Sequence, residues 1–336
     1  MKVAIFSSKP YDREFLTAAN VGAAHQFIFH EARLSADTAA LAAGAEAVCA
    51  FVNDTLDAQV MEILAHSGTR MIALRCAGFN QVDLAAATAH RISVRRVPAY
   101  SPYAVAEFAL GMILTLNRQY HRAYNRVREG NFSIEGLMGF DLHGKTVGII
   151  GTGKIGTLTA KPLAALGCRI IGCDPLVNPE FIALGGTYVS RDELFSQADV
   201  ISLHCPLTPE SHHLINTRAM AKMRDGVMII NTSRGALIDA VEMIDALKSC
   251  KVGYLGIDVY EQEGDLFYQD LSNQIIQDDV IQRLLTFPNV LVTSHQAYFT
   301  ATALRNISET TVGNLTDFAA GISSPNEVIP AIAIAR

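Results

Sequence analysis

The segment running from Lys145 to Gly156 places Gly151, Gly153 and Gly156 directly after the apolar run Thr146–Ile150. In this G-x-G-x-x-G spacing each glycine has a separate task. The first permits a tight turn, the second lets backbone approach a pyrophosphate, and the third lets the following helix pack closely on the strand. Three glycines alone are weak evidence in a chain that has 24 of them. The flanks give them meaning: a buried-type strand precedes them and a helical stretch, Thr157–Leu166, follows. The next strand, Arg169–Cys173, ends at Asp174, 23 residues after Gly151. A carboxylate there accepts hydrogen bonds from ribose hydroxyls and repels a 2′-phosphate, which favours NAD over NADP. The helix N-terminus supplies free N–H groups for the phosphates.

The rest of the second half continues in the same rhythm. Val200–His204, Val227–Asn231, Tyr254–Asp258 and Val290–Thr293 read as strands, so a six-stranded sheet is expected. The first hundred residues repeat the alternation with strands at Val3–Ser7, Gln26–His30, Ala47–Phe51, Met71–Arg75 and Ser93–Val97. Between the two series, Ser101 and Pro102 can start a helix of some 28 residues that Gly130 stops. Its first half is apolar almost all round, as suits a domain crossing or a subunit interface. The fold class is therefore α/β, with two doubly wound parallel-sheet domains. A final helix is expected from Thr300 to about Ala320, before Gly321.

At 336 residues the chain is long enough for two domains. Its net charge of −6 gives no reason to expect a nucleic-acid partner, and the small basic group Arg91, Arg95 and Arg96 reads as a solvated face. No apolar run reaches a membrane-spanning length, and the N-terminal run is too short for a signal peptide, so a cytoplasmic protein is expected. The six cysteines lack any Cys-x-x-Cys pair and read as free thiols, with no metal site.

Ligands of such sheets bind beyond the carboxyl ends of the strands. Three of those ends carry charged or titratable groups: Arg234 after Val227–Asn231, Asp258 at the end of Tyr254–Asp258 with Glu261 and Glu263 beyond it, and His295 after Val290–Thr293. A guanidinium can hold a carboxylate in a planar fork, and an imidazolium can donate a proton beside a carbonyl. A carboxylate beside the imidazole raises its proton affinity. From spacing alone either glutamate can fill that place. This set suits hydride transfer between a nicotinamide and a small 2-keto or 2-hydroxy acid.

At these residues the chain resembles the D-isomer-specific 2-hydroxyacid dehydrogenase family, and within it the fermentative, D-lactate-forming branch. The likeness extends over nearly the whole chain. It is carried by the segments 74–83, 97–102, 151–156, 204–209, 231–239, 258–263 and 294–298. It implies two Rossmann-like domains. The first is a discontinuous, flavodoxin-like substrate domain formed by residues 1–100 and 299–336; residues 101–298 form the NAD domain. It implies Arg234, Glu263 and His295 as catalytic residues, with Glu263 rather than Glu261 as the partner of the histidine. It implies that Arg75, Ala77 and Gly78 form the loop receiving the substrate carboxylate through the N–H groups of Ala77 and Gly78, and that Tyr100 and Tyr298 line the pocket. It implies cofactor contacts at Gly151, Gly153, Lys154, Ile155, Gly156, Asp174, Cys205, Pro206, Ser211, Thr232, Ser233 and Asp258. Ser211 departs from the Asn common in similar enzymes. The expected reaction is the reversible reduction of pyruvate to D-lactate by NADH; the alternatives are a dehydrogenase of the same mechanism for larger branched or aromatic 2-keto acids and, in a different class, a non-catalytic NAD-sensing binding protein. The expected assembly is a homodimer or higher homo-oligomer formed through the long helix after Ser101.

Overall fold

A computed structural model describes residues 1–23 and 25–329. The chain divides into two compact units, one formed by Met1–Ser101 with the chain from Phe299 onward, the other by Pro102–Tyr298.

The first unit holds five parallel strands: β1 (Lys2–Ile5), β2 (Gln26–Phe29), β3 (Ala47–Ala50), β4 (Met71–Leu74) and β5 (Ser93–Arg95). Their order is β2-β1-β3-β4-β5. β3 and β4 are buried at every residue, which is why they are continuous apolar runs without alternation. The helix Ala58–His66 starts where Asp57 accepts from the Val60 N–H, and Asp83 does the same for Leu84–Ala89 through the Ala86 N–H. The expected last helix forms as Ala301–Ala319, with the Thr300 hydroxyl accepting from the Ala303 N–H and Gly321 at φ 69° beyond it.

Arg95 ties the returning chain to this unit instead of forming part of a solvated face. Arg91 is exposed, but Arg95 is buried. Its guanidinium donates to the carbonyls of Asn314 (3.1 Å) and Ile322 (2.8 Å) and lies over the Phe318 ring. The partial negative charge toward the C-terminal end of the last helix and the Ile322 carbonyl beyond it attract a cation, and that outweighs the preference of an arginine for water.

The second unit holds β6 (Thr146–Ile150), β7 (Arg169–Cys173), β8 (Thr187–Tyr188), β9 (Val200–Leu203), β10 (Val227–Asn231), β11 (Val252–Ile257) and β12 (Val290–Val292), ordered β12-β11-β10-β9-β6-β7-β8. All their pairings are parallel. The sheet has seven strands rather than six. The extra one, β8, is a two-residue edge strand, too short to show any periodicity in the sequence. The sheet order reverses at β6, between β9 and β7, and the glycine turn follows β6 there.

The long helix is also two helices, Pro102–Arg118 and Tyr120–Arg128. Gln119 between them is left-handed, at φ 49° and ψ 40°. The first helix buries eight residues and the second buries none. Asn117 pins the end of the first, donating to the Phe140 carbonyl (2.7 Å) and accepting from the Phe140 N–H (2.8 Å). The continuation carries Tyr120, Tyr124 and Val127 along one face but buries none of them, so nothing holds it in line with the first helix and it turns away at Gln119. No helix among the described residues is long and apolar enough to cross a membrane.

Candidate active site

The glycine turn is built as its spacing predicts. Gly151 has φ +92°, and a Cβ there would lie 2.5 Å from the Cys205 nitrogen and the His204 carbonyl carbon. A Cβ on Gly156 would lie 2.0 Å from the Gly151 oxygen. Both positions therefore require glycine to let backbone meet backbone. Gly153 differs: nothing lies within 4 Å of a Cβ placed there. It starts the helix Lys154–Ala165, and no side chain caps that helix. The first-turn N–H groups are thus left for a ligand.

Asp174 closes the turn from the side. It accepts from the Thr152 N–H (2.7 Å) and the Leu176 N–H (2.9 Å). Tyr188, on the unforeseen strand β8, adds a hydroxyl contact to Thr152 (2.5 Å). Lys154 is exposed and Ile155 half-buried. Opposite the turn, the Ser233 hydroxyl donates to the Cys205 carbonyl (2.7 Å). Ser211 donates to the Pro206 carbonyl (2.8 Å) and accepts from the Thr208 N–H (2.7 Å), so its hydroxyl shapes its own loop. Thr232 has a buried hydroxyl with no hydrogen-bond partner among the described residues. A buried orphan of this kind next to the turn, and the open space at Gly153, are what a bound dinucleotide would satisfy and fill. The residues present fit NAD.

His295 lies beyond β12. Its Nδ1 is 2.7 Å from Glu263 Oε1. An ionised carboxylate only accepts, so Nδ1–H donates and Nε2 is the nitrogen left for a substrate. Glu263 Oε2 accepts from the Tyr260 N–H at 2.9 Å, which fixes the carboxylate plane. Glu261 points elsewhere, to His213 Nε2 at 3.0 Å. The geometry thus separates two acids that spacing could not.

The backbone of His295 is left-handed, at φ 53°. Asp258 holds it there. This carboxylate is buried and accepts from the Thr293 hydroxyl (2.5 Å) and from the N–H groups of Gln296 and Ala297 (2.9 Å each). Its carbonyl accepts from the His295 N–H at 2.7 Å. Burial raises the pKa of Asp258, and these hydrogen bonds oppose the rise. The Tyr268 hydroxyl donates to the His295 carbonyl (2.8 Å). Tyr268 had no sequence signal, since it lies in a loop; Thr293 was visible as the strand-end residue but not as a support for Asp258.

Arg234 is half-buried after β10, with Nη1 donating to the Ser233 carbonyl at 2.7 Å. Asn231 Nδ2 donates to the Arg234 carbonyl (2.8 Å), and so fixes the backbone but leaves the guanidinium unpaired with any acid among the described residues. Gly235 makes the turn possible, because a Cβ there would lie 2.1 Å from the Tyr260 carbonyl carbon. Tyr298 is buried in this unit.

In the first unit the chain leaves β4 at Arg75, whose side chain faces inward. It is 2% exposed and bonds to Asp12 Oδ1 (3.2 Å) and the Ser7 carbonyl (2.9 Å), with its guanidinium over the Phe51 ring. It therefore supports the turn rather than presenting a charge to a ligand. Burial raises the Cys49 thiol beside it to about 11, against the pull of the guanidinium. Ala77 and Gly78 are half-buried, and Arg96 Nη1 donates to the Ala77 carbonyl (2.8 Å). Tyr100 is half-buried, and its carbonyl accepts from Asn306 Nδ2 (2.5 Å).

Residues 110–297 match the family model of the NAD-binding domain of D-isomer-specific 2-hydroxyacid dehydrogenases. A 2-hydroxyacid dehydrogenase homolog of Haemophilus influenzae is 52% identical over 98% of this chain and 100% of its own length. D-lactate dehydrogenase of Escherichia coli is 53% identical, again over 98% and 100%. The solved structure of the pyruvate reductase of Chlamydomonas reinhardtii has a TM-score of 0.92 at 43% identity, over 97% and 98% of the two chains.

Proposed function

The chain belongs to the D-isomer-specific 2-hydroxyacid dehydrogenase family, and on that premise we propose that it reduces pyruvate to D-lactate with NADH, reversibly. The observation carrying this reading is the His295–Glu263 pair at 2.7 Å, in the unit that holds the glycine turn and Arg234. The E. coli relative is a D-lactate dehydrogenase and the Chlamydomonas one a pyruvate reductase, which supports pyruvate among small 2-keto acids.

When bound, NADH supplies the hydride to the keto carbon. Arg234 binds the substrate carboxylate and carbonyl oxygen through its fork of donors, and draws charge toward that oxygen. His295 donates a proton from Nε2 to the same oxygen, so that hydride and proton together make the hydroxy acid. Glu263 orients the ring and stabilises its charged form, and Asp258 sets the loop that carries it. In the first unit, the N–H groups of Ala77 and Gly78 are the proposed donors to the substrate carboxylate; Arg75 and Arg96 hold that turn in shape. Tyr100 and Tyr298 are assigned to the pocket wall. Gly151 to Gly156, Asp174, Cys205, Pro206, Ser211, Thr232 and Ser233 are assigned to NAD.

We assign the chain to the cytoplasm, where its six free cysteines stay reduced. A homo-oligomer is supported by the exposed side chains of Phe132, Ile134 and Met138, each at least 77% exposed, which a second copy would cover.

NADH oxidation with keto acids from glyoxylate to phenylpyruvate, with chiral analysis of the product, tests the reading. Pyruvate should give the highest kcat/KM and D-lactate the product. An L product would overturn the assignment, and preference for a bulky branched keto acid would replace pyruvate as the substrate.

A further inference from the structure

Outside the dehydrogenase site, the second unit brings together two consecutive histidines and two acids from separate stretches of chain. His213 Nε2 lies 3.0 Å from Glu261 Oε1, and His212 Nε2 lies 3.7 Å from the same oxygen. One ligand atom from each of His212, His213 and Glu261 falls within 4.8 Å of the other two. A tetrahedral zinc ion holds imidazole nitrogens and carboxylate oxygens at about 2.0–2.2 Å, and so about 3.3 Å from one another. Movements of under 2 Å bring these three atoms to that spacing, and the His212 side chain, 51% exposed, has room to make them.

A further acid gives the cluster a directional character that ordinary surface charges lack. His213 Nδ1 is 3.2 Å from Asp239 Oδ2. The ring is thus held at one nitrogen by a carboxylate while the other faces Glu261, the carboxylate–histidine arrangement that orients metal ligands. His213 takes a left-handed backbone, at φ 48°, to point this way, and its rings stack on His212 at 4.0 Å between centroids. Asp239 is itself fixed, since its Oδ1 caps the helix Ala240–Lys248 by accepting from the N–H groups of Val241 and Glu242. Neither histidine and neither of these acids has a part in the proposed hydride transfer.

We propose that His212, His213 and Glu261 bind a divalent transition metal ion of the zinc class, with Asp239 orienting His213 and water completing the coordination. The ion bridges the loop after β9 to the loop after β11. Imidazole and carboxylate donors suit zinc, cobalt and nickel ions rather than magnesium or calcium.

The test is calorimetric titration of chelator-treated full-length protein with zinc chloride, together with the visible absorption of the cobalt-loaded form. One equivalent should bind, and zinc should raise the thermal midpoint. Glu261→Gln and His212→Asn should each weaken binding at least tenfold. Asp239→Asn, which keeps the helix cap, should weaken it by about ten- to a hundredfold. Magnesium should neither bind nor shift the midpoint. Each variant is checked by its metal-free thermal midpoint, which should match the parent's, so that lost binding is not lost folding. Absence of stoichiometric binding to the parent, or equal binding by the parent and His212→Asn/Glu261→Gln, would overturn the proposal.

Discussion

Arg75 and Arg234 both follow a buried parallel strand, and the two units use them in opposite ways. Arg75 turns into the first unit, where Asp12, the Ser7 carbonyl and the Phe51 ring surround it. Arg234 keeps its guanidinium half-exposed, tied among the described residues only to the Ser233 carbonyl. The histidines divide in the same manner. His204 is pushed down to about 4 by burial and rests against the Ser202 hydroxyl at 2.8 Å, whereas His295 is paired with a carboxylate. Residue type and position after a strand do not decide between support and chemistry. The partner does: an arginine already neutralised inside the protein has little left to offer a substrate, and a histidine without a counter-charge stays neutral.

The contrast can be broken most severely at the site itself. Arg234→Met and His295→Ala should each lower kcat/KM by about 10²–10⁴, with little loss of stability. Steady-state kinetics beside a urea unfolding curve would show whether activity and stability separate. Arg75→Met should do the reverse at first order. Leaving Asp12 without its cation should cost about 3 kcal/mol of unfolding free energy, near the low end for a buried pair because Asp12 retains some exposure. If the Arg75→Met protein unfolds at the parent's urea midpoint, the division between the two arginines fails.

For the histidines the separating variable is pH. The unfolded chain protonates His204 near 6.5 and the folded protein near 4. Stability that is complete above pH 6.5 should therefore decline as pH falls toward 4, by up to about 3 kcal/mol from this residue. In His204→Asn that part of the decline should be missing from unfolding curves taken at pH 7 and pH 4.5. The smallest effect concerns the cofactor. Asp174→Ala should narrow the preference for NAD over NADP by about tenfold, read as a ratio of kcat/KM values, since a carboxylate repels a 2′-phosphate. An unchanged ratio would remove Asp174 as the selector.

The parts legible in the sequence were those fixed by local rules. β6, β7 and β10 fall at their expected residues because strands buried on both faces along most of their length read as apolar runs. Gly151 and Gly156 were readable because no other residue fits where they lie. Thr300 was readable because a helix start needs an acceptor. What escaped depended on contacts distant along the chain. Arg95 reads as a surface charge because the Asn314 and Ile322 carbonyls that hold it lie far along the chain, and nothing near Arg75 in sequence announces its pair with Asp12. Gln119 carries no breaker signal; the break goes with the absence of any buried residue in the helix beyond it. Glu261 and Glu263 are equivalent in sequence, and only the fold sends one to His213 and the other to His295.

The left-handed backbone at His295 has one more consequence. Glycine takes that conformation without steric cost, while histidine takes it at a cost smaller than that of most side chains, so His295 holds the folded protein at most about 1 kcal/mol above what glycine would give. His295→Gly should accordingly regain in backbone strain part of what it loses with the Glu263 hydrogen bond, and melt close to the parent while inactive. A population of this chain selected only for surviving heat would drift away from histidine at that position, and its persistence would mark selection for turnover.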